Sequence, residues 1–438
     1  MQALPSFFSL KKDGYNCSGY GQTAIRGELS LRRIPMDIKA LREDFPVLHE
    51  ERKGKPIVYF DNACQTLRPE SVIEAVEGYY RHSSACVGRS NHKLAEEVTR
   101  ACEDSRSRIA KFLHASKKEE IIFTRNTTEG INLVSNSLDL KAGDVVLLSD
   151  KEHNSNLIPW LMARKKNGIE VGIIPTGTDG RLDLDVFRKM LTPNVKLVSL
   201  GMTSNLDGVT IPAREIIQAA HKNGSLVLLD AAQTTPHMAI DVRTLDVDLL
   251  AFSGHKMLGP SGIGVLFGKY SLLEKMEPFL VGGETVAIST YTDCQFLPPP
   301  EKFEAGLQNY AGIIGLGAAV EYLQKIGFDT IQKQEKLLNA AVSSKLGEIP
   351  RIKMIGPSDS AQRSGIVTFT VEKADHHQVA IMLDQVSNIA VRSGQHCVHS
   401  WFNARGIAGS VRASFYFYNT LEEVDLFVET LQKILKVI

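Results

Sequence analysis

Between residues 56 and 270, short apolar runs alternate with amphipathic stretches. PIVYFDNA is followed by SVIEAVEGYYRHS, EIIFTRNT by EGINLVSNSL, and DVVLLSD comes next. This alternation predicts strands and helices in turn, and so a mostly parallel α/β sheet. Further strands are expected in GIEVGIIP (168–175), VKLVSLGMTS (195–204), SLVLLDAAQ (225–233), DLLAFSG (248–254) and GIGVLFG (262–268). Several of these runs end in a polar residue, at the edge where an open α/β sheet keeps its ligand.

Three consecutive prolines in CQFLPPPEK (294–302) break the pattern, because proline continues neither a central strand nor a helix interior. The expectation is a large domain over 36–298 and a smaller α+β domain over 299–438. In the second, IIGLGAAVEYLQKIG and DTIQKQEKLLNAAVSSKLGEI have helical spacing, GIVTFTVE and NIAVRSG read as strands, and LEEVDLFVETLQKILKVI closes as an amphipathic helix. Residues 36–50 are expected to pack on this smaller domain. The first 35 residues read as a flexible extension, without a hydrophobic segment followed by a small-residue cleavage site.

Size and composition narrow the function. At 438 residues the chain exceeds the ~250–300 at which one core usually stops growing. Lys plus Arg and Asp plus Glu are balanced at 50 each, with no dense basic block. Electrostatics therefore give no reason to expect nucleic acid or an anionic membrane as partner, and no run approaches the ~18 apolar residues of a membrane span. A small molecule or another protein is the expected partner. Six cysteines without a CxxC pair suit reduced thiols and a cytoplasmic location better than a disulfide framework.

Candidate chemistry centres on SGHKMLGPSGIGVL (253–266), where Lys256 stands between a strand and a Gly/Pro-rich turn. A lysine desolvated at a strand end can form a Schiff base with an aldehyde cofactor such as pyridoxal phosphate. Such a cofactor needs a carboxylate at its ring nitrogen, and LVLLDAAQ offers Asp230, which would otherwise serve as an ordinary helix cap. Its phosphate needs a helix N-terminus, and FTRNTTEGINLV supplies Thr127 and Thr128, with Asn126 and Glu129 spaced as a capping box. His153 in SDKEHNSNLIPW and Asn205 in SNLDG each follow a strand, though alone they would pass for a loop histidine and a turn asparagine.

Together with DNA (61–63), FEAG, IIGLGAAVEYL, VRSGQHC and VRASFYFYNTLEEVD, these motifs in this order resemble the class V aminotransferase family. Within it the likeness is to SufS-like, group II cysteine desulfurases and selenocysteine lyases, and it spans residues 37 to 438. The resemblance implies the type I fold of pyridoxal phosphate-dependent transferases. It implies that Lys256 is the Schiff-base lysine, Asp230 the partner of the ring nitrogen and His153 the residue stacked on the ring. Asn205 and Gln233 would lie near the phenolic oxygen, and Thr128, Ser253 and His255 at the phosphate.

For the substrate, the resemblance implies that Arg412 clamps the α-carboxylate, with Arg392 and Asn205 nearby, and that Cys397 takes sulfur from L-cysteine, or selenium from L-selenocysteine. Arg392 and His396 would favour the thiolate, since cationic neighbours lower a thiol pKa from ~8.5. A homodimer, a sulfur-acceptor or iron–sulfur scaffold protein, and a short catalytic loop follow from the same likeness. Other readings of Cys397 are a buried structural cysteine or a zinc site with His396 and His399, which lacks a fourth ligand. Other readings of the whole chain are a C–S lyase, an epimerase, a kynureninase-like hydrolase, or a non-catalytic sulfur-carrier scaffold. The chain departs from the family pattern at GRS (88–90), FEAGLQ (303–308), QHC (395–397) and DNAC (61–64), the last adding Cys64.

Overall fold

The computed structural model describes residues 37–177 and 179–438; the expected extension and Cys17 lie outside them. Seven strands form the large sheet: β1 (Ile121–Thr124), β2 (Val145–Ser149), β3 (Glu170–Ile174), β4 (Val195–Gly201), β5 (Leu226–Asp230), β6 (Leu249–Ser253) and β7 (Gly264–Gly268). Their spatial order is β1-β7-β6-β5-β4-β2-β3. The run from β3 to β6 is parallel, and β7 is antiparallel to both its neighbours. Strands β1, β6 and β7 are buried at every position, which is why they read as unbroken apolar runs and not as alternation.

Helices cover the sheet: α1 (Glu70–His82), α2 (Lys93–Phe112), α3 (Thr127–Ser137), α4 (Asn154–Asn167) and α5 (Ala213–Lys222). Gly264 is where β7 meets the start of α3. A Cβ there would lie 2.6 Å from the Asn126 Cα and 2.7 Å from the Phe252 carbonyl oxygen, so only glycine lets the two backbones approach.

A second sheet lies in the C-terminal part, with β8 (Ile352–Ile355), β9 (Ile366–Val371), β10 (Arg392–Gly394) and β11 (Ser410–Ser414) in the order β8-β9-β11-β10, all antiparallel. Four further helices accompany it in sequence: α6 (Tyr310–Ile326), α7 (Phe328–Gly347), α8 (His376–Ser387) and α9 (Leu421–Ile434). Helix α6, which follows the prolines, packs on α1 and α2. Its neighbours α7 to α9 share a core with β9 and β11 through Leu338, Leu383, Phe369, Val411 and Phe427.

PIVYFDNA corrects one expectation. Its strand Val58–Tyr59 is not part of the large sheet but pairs in parallel with Ile389–Ala390, and Val58 and Phe60 belong to the C-terminal core. An apolar run announces a strand without naming its partner. In the segment just before it, Arg42 donates to the Tyr418 carbonyl at 2.7 Å and pairs with Glu423 at 2.9 Å. The FEAG segment is pinned by Glu304, which takes a two-pronged bond from Arg106, both at 2.8 Å, and the Phe123 N–H at 2.7 Å. This ion pair ties the segment after the prolines to β1 and α2.

Candidate active site

The carboxyl ends of β2, β4, β5 and β6 open into a cavity of about 240 Å³. All twelve residues singled out for the site line it: Thr127, Thr128, His153, Asn205, Asp230, Gln233, Ser253, His255, Lys256, Arg392, Cys397 and Arg412. They come from seven separated stretches of sequence, five at the carboxyl edge of the large sheet and two, holding Arg392 with Cys397 and Arg412, from the C-terminal part.

Asp230 is the last residue of β5 and is buried. Burial pushes its carboxyl up; the Lys256 charge and the Ala232 N–H, 2.9 Å from Oδ1, pull against that. Lys256 closes a single 3-10 turn after β6. Burial pushes its ammonium down, opposed chiefly by Asp230 and reinforced by Arg412. A lysine so placed is readily obtained as the free amine that adds to an aldehyde.

His153 caps α4, with Nδ1 accepting the Ser155 N–H at 3.0 Å. Burial, Lys256 and Arg412 bring its pKa down to about 3, so the ring is neutral and its proton sits on Nε2. His255 is likewise held neutral, at about 4, by burial and Lys256.

The start of α3 provides the anion cradle. Of its first four N–H groups, Thr127 donates to Ser253 Oγ at 2.9 Å, Glu129 to Asn126 Oδ1 at 3.0 Å and Gly130 to the Asn126 carbonyl at 3.1 Å. The Thr128 N–H is left for a ligand. The Thr127 hydroxyl bonds Ser253 at 2.6 Å and the Thr128 hydroxyl bonds Ser155 at 2.7 Å, so strand end, helix start and α4 are laced together here.

On the opposite wall, Arg392 of β10 and Arg412 of β11 are directly paired across the strands. Like charges at this spacing repel unless an anion lies between them. Asp61 answers part of the charge, 3.4 Å from Arg412 Nη2, while Arg412 Nη1 donates to the Asn205 carbonyl at 2.9 Å. Arg412 Nε is buried and has no partner among the described residues.

Cys397 lies on a turn whose residues His396 (φ 49°) and Cys397 (φ 60°) are both left-handed, a strained pair for side chains of this kind. Three bonds hold it: Asn205 Nδ2 to the His396 carbonyl at 2.8 Å, the Asn154 N–H to the Cys397 carbonyl at 2.7 Å, and His396 Nε2 to Ser410 Oγ at 2.8 Å.

The expectation for the neighbours of Cys397 is corrected here. His396 is buried beside two arginines, and burial with Arg412 brings its pKa to about 2, so it is neutral and supplies no charge to the thiol. The Arg392 guanidinium points its Nη1 at Cys64 Sγ, 3.9 Å away. Among the described residues no three His, Cys, Asp or Glu side chains converge as a metal site, and His399 is engaged with Asn154 at 2.8 Å.

Sequence reading missed Glu152, which is buried directly beneath the cavity. It accepts from Ser149 of β2, from Asn156 of α4 at 2.8 Å and from the Gly201 N–H of β4 at 2.9 Å. The signal was an acid after a strand, beside His153. Burial, with Asp230 adding to it, lifts its pKa to about 7.

A raised carboxyl stabilises the fold fully below its unfolded pKa, and that stability is lost as pH rises through the folded value. From pH 5 to 8 the wild-type chain should therefore lose ground to Glu152→Gln by up to about 3 kcal/mol, at 1.36 kcal/mol per pKa unit. Urea midpoints across this range check it, and parallel curves for the two proteins would remove the assignment.

A family model described as aminotransferase class-V matches residues 58–427. A probable cysteine desulfurase of Halalkalibacterium halodurans is 41% identical over 401 residues, 91% of this chain and 98% of the relative. The cysteine desulfurase of Dickeya dadantii is 39% identical, covering 91% and 96%. Among solved structures, apo cysteine desulfurase from Thermococcus onnurineus NA1 superposes with a TM-score of 0.87 at 38% identity, over 91% of this chain and 98% of that one. Escherichia coli cysteine desulfurase CsdA, in an S-sulfonic acid form, gives 0.85 at 34%, over 92% and 99%.

The chain belongs to the class V aminotransferase family, whose members depend on pyridoxal phosphate. Within that family it is an enzyme of the cysteine desulfurase group.

The residues present fit such a cofactor. The cavity offers an amine at Lys256, a buried carboxylate at Asp230, a neutral imidazole at His153 and an uncommitted helix N–H at Thr128. It also holds a buried Gln233 Oε1 without a partner among the described residues, while the Gln233 Nε2 is fixed to the Ala63 carbonyl at 2.6 Å.

Proposed function

We propose that this enzyme converts L-cysteine to L-alanine and takes the sulfur onto Cys397 as a persulfide. The observation that carries the reading is one cavity holding Lys256 and Asp230 on the sheet side and Arg412 with Cys397 on the other. Pyridoxal phosphate, when bound, supplies the electron sink that loosens bonds around the amino acid's Cα.

The remaining work falls to the chain's own groups. With the cofactor in place, Asp230 would keep the ring nitrogen protonated. Lys256 would hold the cofactor and carry the Cα proton. Thr128, Ser253 and His255 would hold the phosphate, with Thr127 orienting Ser253; His153 would lie against the ring, and Gln233 and Asn205 would stand near its phenolic oxygen. Arg412 takes the substrate carboxylate, with Arg392 beside it. The Cys397 thiolate attacks the substrate sulfur, the Cβ–S bond breaks, and its electron pair stays on the carbon, which gains a proton to give alanine.

The sulfur so held would pass to an acceptor or scaffold protein for iron–sulfur clusters or thio-cofactors, in the cytoplasm. A homodimer is supported by an exposed apolar run, Phe279, Leu280 and Val281, with Ile288 and Tyr291 on the following hairpin. The lobes of one subunit would divide near residue 298.

The test uses Cys397→Ser, loaded with cofactor and given L-cysteine. The wild type should form alanine together with one added sulfur on the Cys397 peptide, and the variant should lose alanine formation by at least about a hundredfold, the scale of one reacting group. Alanine formed at the wild-type rate by the variant would remove Cys397 from the sulfur transfer, and pyruvate with free sulfide in place of alanine would mean C–S lysis instead.

A further inference from the structure

Cys397 is not the cavity's only thiol. Of the five cysteines among the described residues, Cys64 and Cys397 line it, whereas Cys86, Cys102 and Cys294 do not. Both sulfurs bear electrostatically on Lys256, so both stand near the reacting centre.

Cys64 sits on a fixed platform. Its N–H is bound to the Asp61 carbonyl at 3.0 Å, and the preceding Ala63 is held by Ser414 Oγ at 2.9 Å and Gln233 Nε2 at 2.6 Å. Neighbouring Asn62 is buried and donates to the Ser414 carbonyl at 2.7 Å. The strand that carries Arg412 therefore also carries the seat of Cys64. Arg392, paired with Arg412 across the strands and five residues before Cys397, directs its Nη1 at Cys64 Sγ at 3.9 Å.

We propose that Cys64 is a second sulfur acceptor, taking the outer sulfur from the Cys397 persulfide inside the same cavity. This rests on the persulfide reading above. The Cys64 thiolate attacks the outer sulfur of Cys397–S–SH, the S–S bond breaks, and Cys397 leaves as thiolate. The hydrogen stays on the transferred sulfur, and one persulfide replaces another, so neither oxidant nor reductant is consumed. Cys397 is thereby free to take a second sulfur before any outside acceptor arrives.

The cofactor-loaded full chain is given excess L-cysteine without an acceptor protein, quenched early with an alkylating agent, and analysed for alanine and for added sulfur on each cysteine peptide. Added sulfur is expected on both Cys64 and Cys397, with an alanine burst about twice that of Cys64→Ala. The Cys64→Ala chain keeps its added sulfur on Cys397. In Cys397→Ser, Cys64 should remain bare.

Sulfur confined to Cys397 in the wild type, with equal bursts from wild type and Cys64→Ala, overturns the relay. So does sulfur on Cys64 in Cys397→Ser, which would mean direct capture from substrate, and so does a Cys64–Cys397 disulfide with release of sulfide. Absence of added sulfur on both peptides would instead strike the persulfide reading itself.

Discussion

Replacing Lys256 with alanine should reduce turnover of L-cysteine to below about a thousandth of wild type, because positioned acid–base catalysis alone is worth ~10²–10⁴. On the proposed reading Lys256 has two services: covalent attachment of the cofactor and transfer of the Cα proton. Its surroundings are built for a neutral amine, since burial pushes its ammonium down while Asp230 alone among the larger influences strongly favours the charge. Lys256→Arg separates chemistry from charge. It keeps a cation near Asp230 but cannot form a Schiff base or release a proton, so it should be as inactive as the alanine variant. Both should also lose the visible absorbance that attachment to the lysine gives. More than about a tenth of wild-type turnover in either variant would remove Lys256 from the chemistry.

Arg412→Lys should raise KM for L-cysteine far more than it lowers kcat. Hydrogen bonds to charged groups are worth ~1.5–3 kcal/mol each, and losing one predicts a fall in kcat/KM of ~10–150-fold. The guanidinium is needed because its donors serve different partners at once: Nη1 holds the Asn205 carbonyl and Nη2 reaches Asp61. A lysine has one nitrogen to divide among these and the substrate. Because Asn205 also bonds the His396 carbonyl, some kcat is lost through the Cys397 turn. A KM within about threefold of wild type would show that the carboxylate is held elsewhere.

Much of this site was legible because its residues stand at strand ends. Asp230 and Lys256 follow runs of apolar residues buried on both faces, so the sequence announces both the strand and where it stops. Thr127 and Thr128 are legible for a related reason, since helix starts carry recognisable capping residues. Less legible was anything set by pairing across long separations. Nothing in PIVYFDNA tells that its strand joins Ile389–Ala390 and not the large sheet. His396 reads as a cation beside a thiol, yet burial, with Arg412 and Arg392 adding to it, holds it neutral, which only the folded chain reveals. Glu152, passed over in the sequence, is a knot between β2, β4 and α4.

The pairing of β10 with β11 has a mechanical consequence. Arg412 and the platform of Cys64 share one strand, and Arg392 leads from the next strand into Cys397. Arg412, Cys64 and Cys397 are thus parts of one arm, while Lys256 and Asp230 belong to the large-sheet floor. Asn154 and Asn205 brace that arm to the large-sheet side through the Cys397 and His396 carbonyls. Arm and floor are therefore cross-braced, so a substitution that loosens Asn205 reaches the Arg412 guanidinium and the Cys397 turn at once.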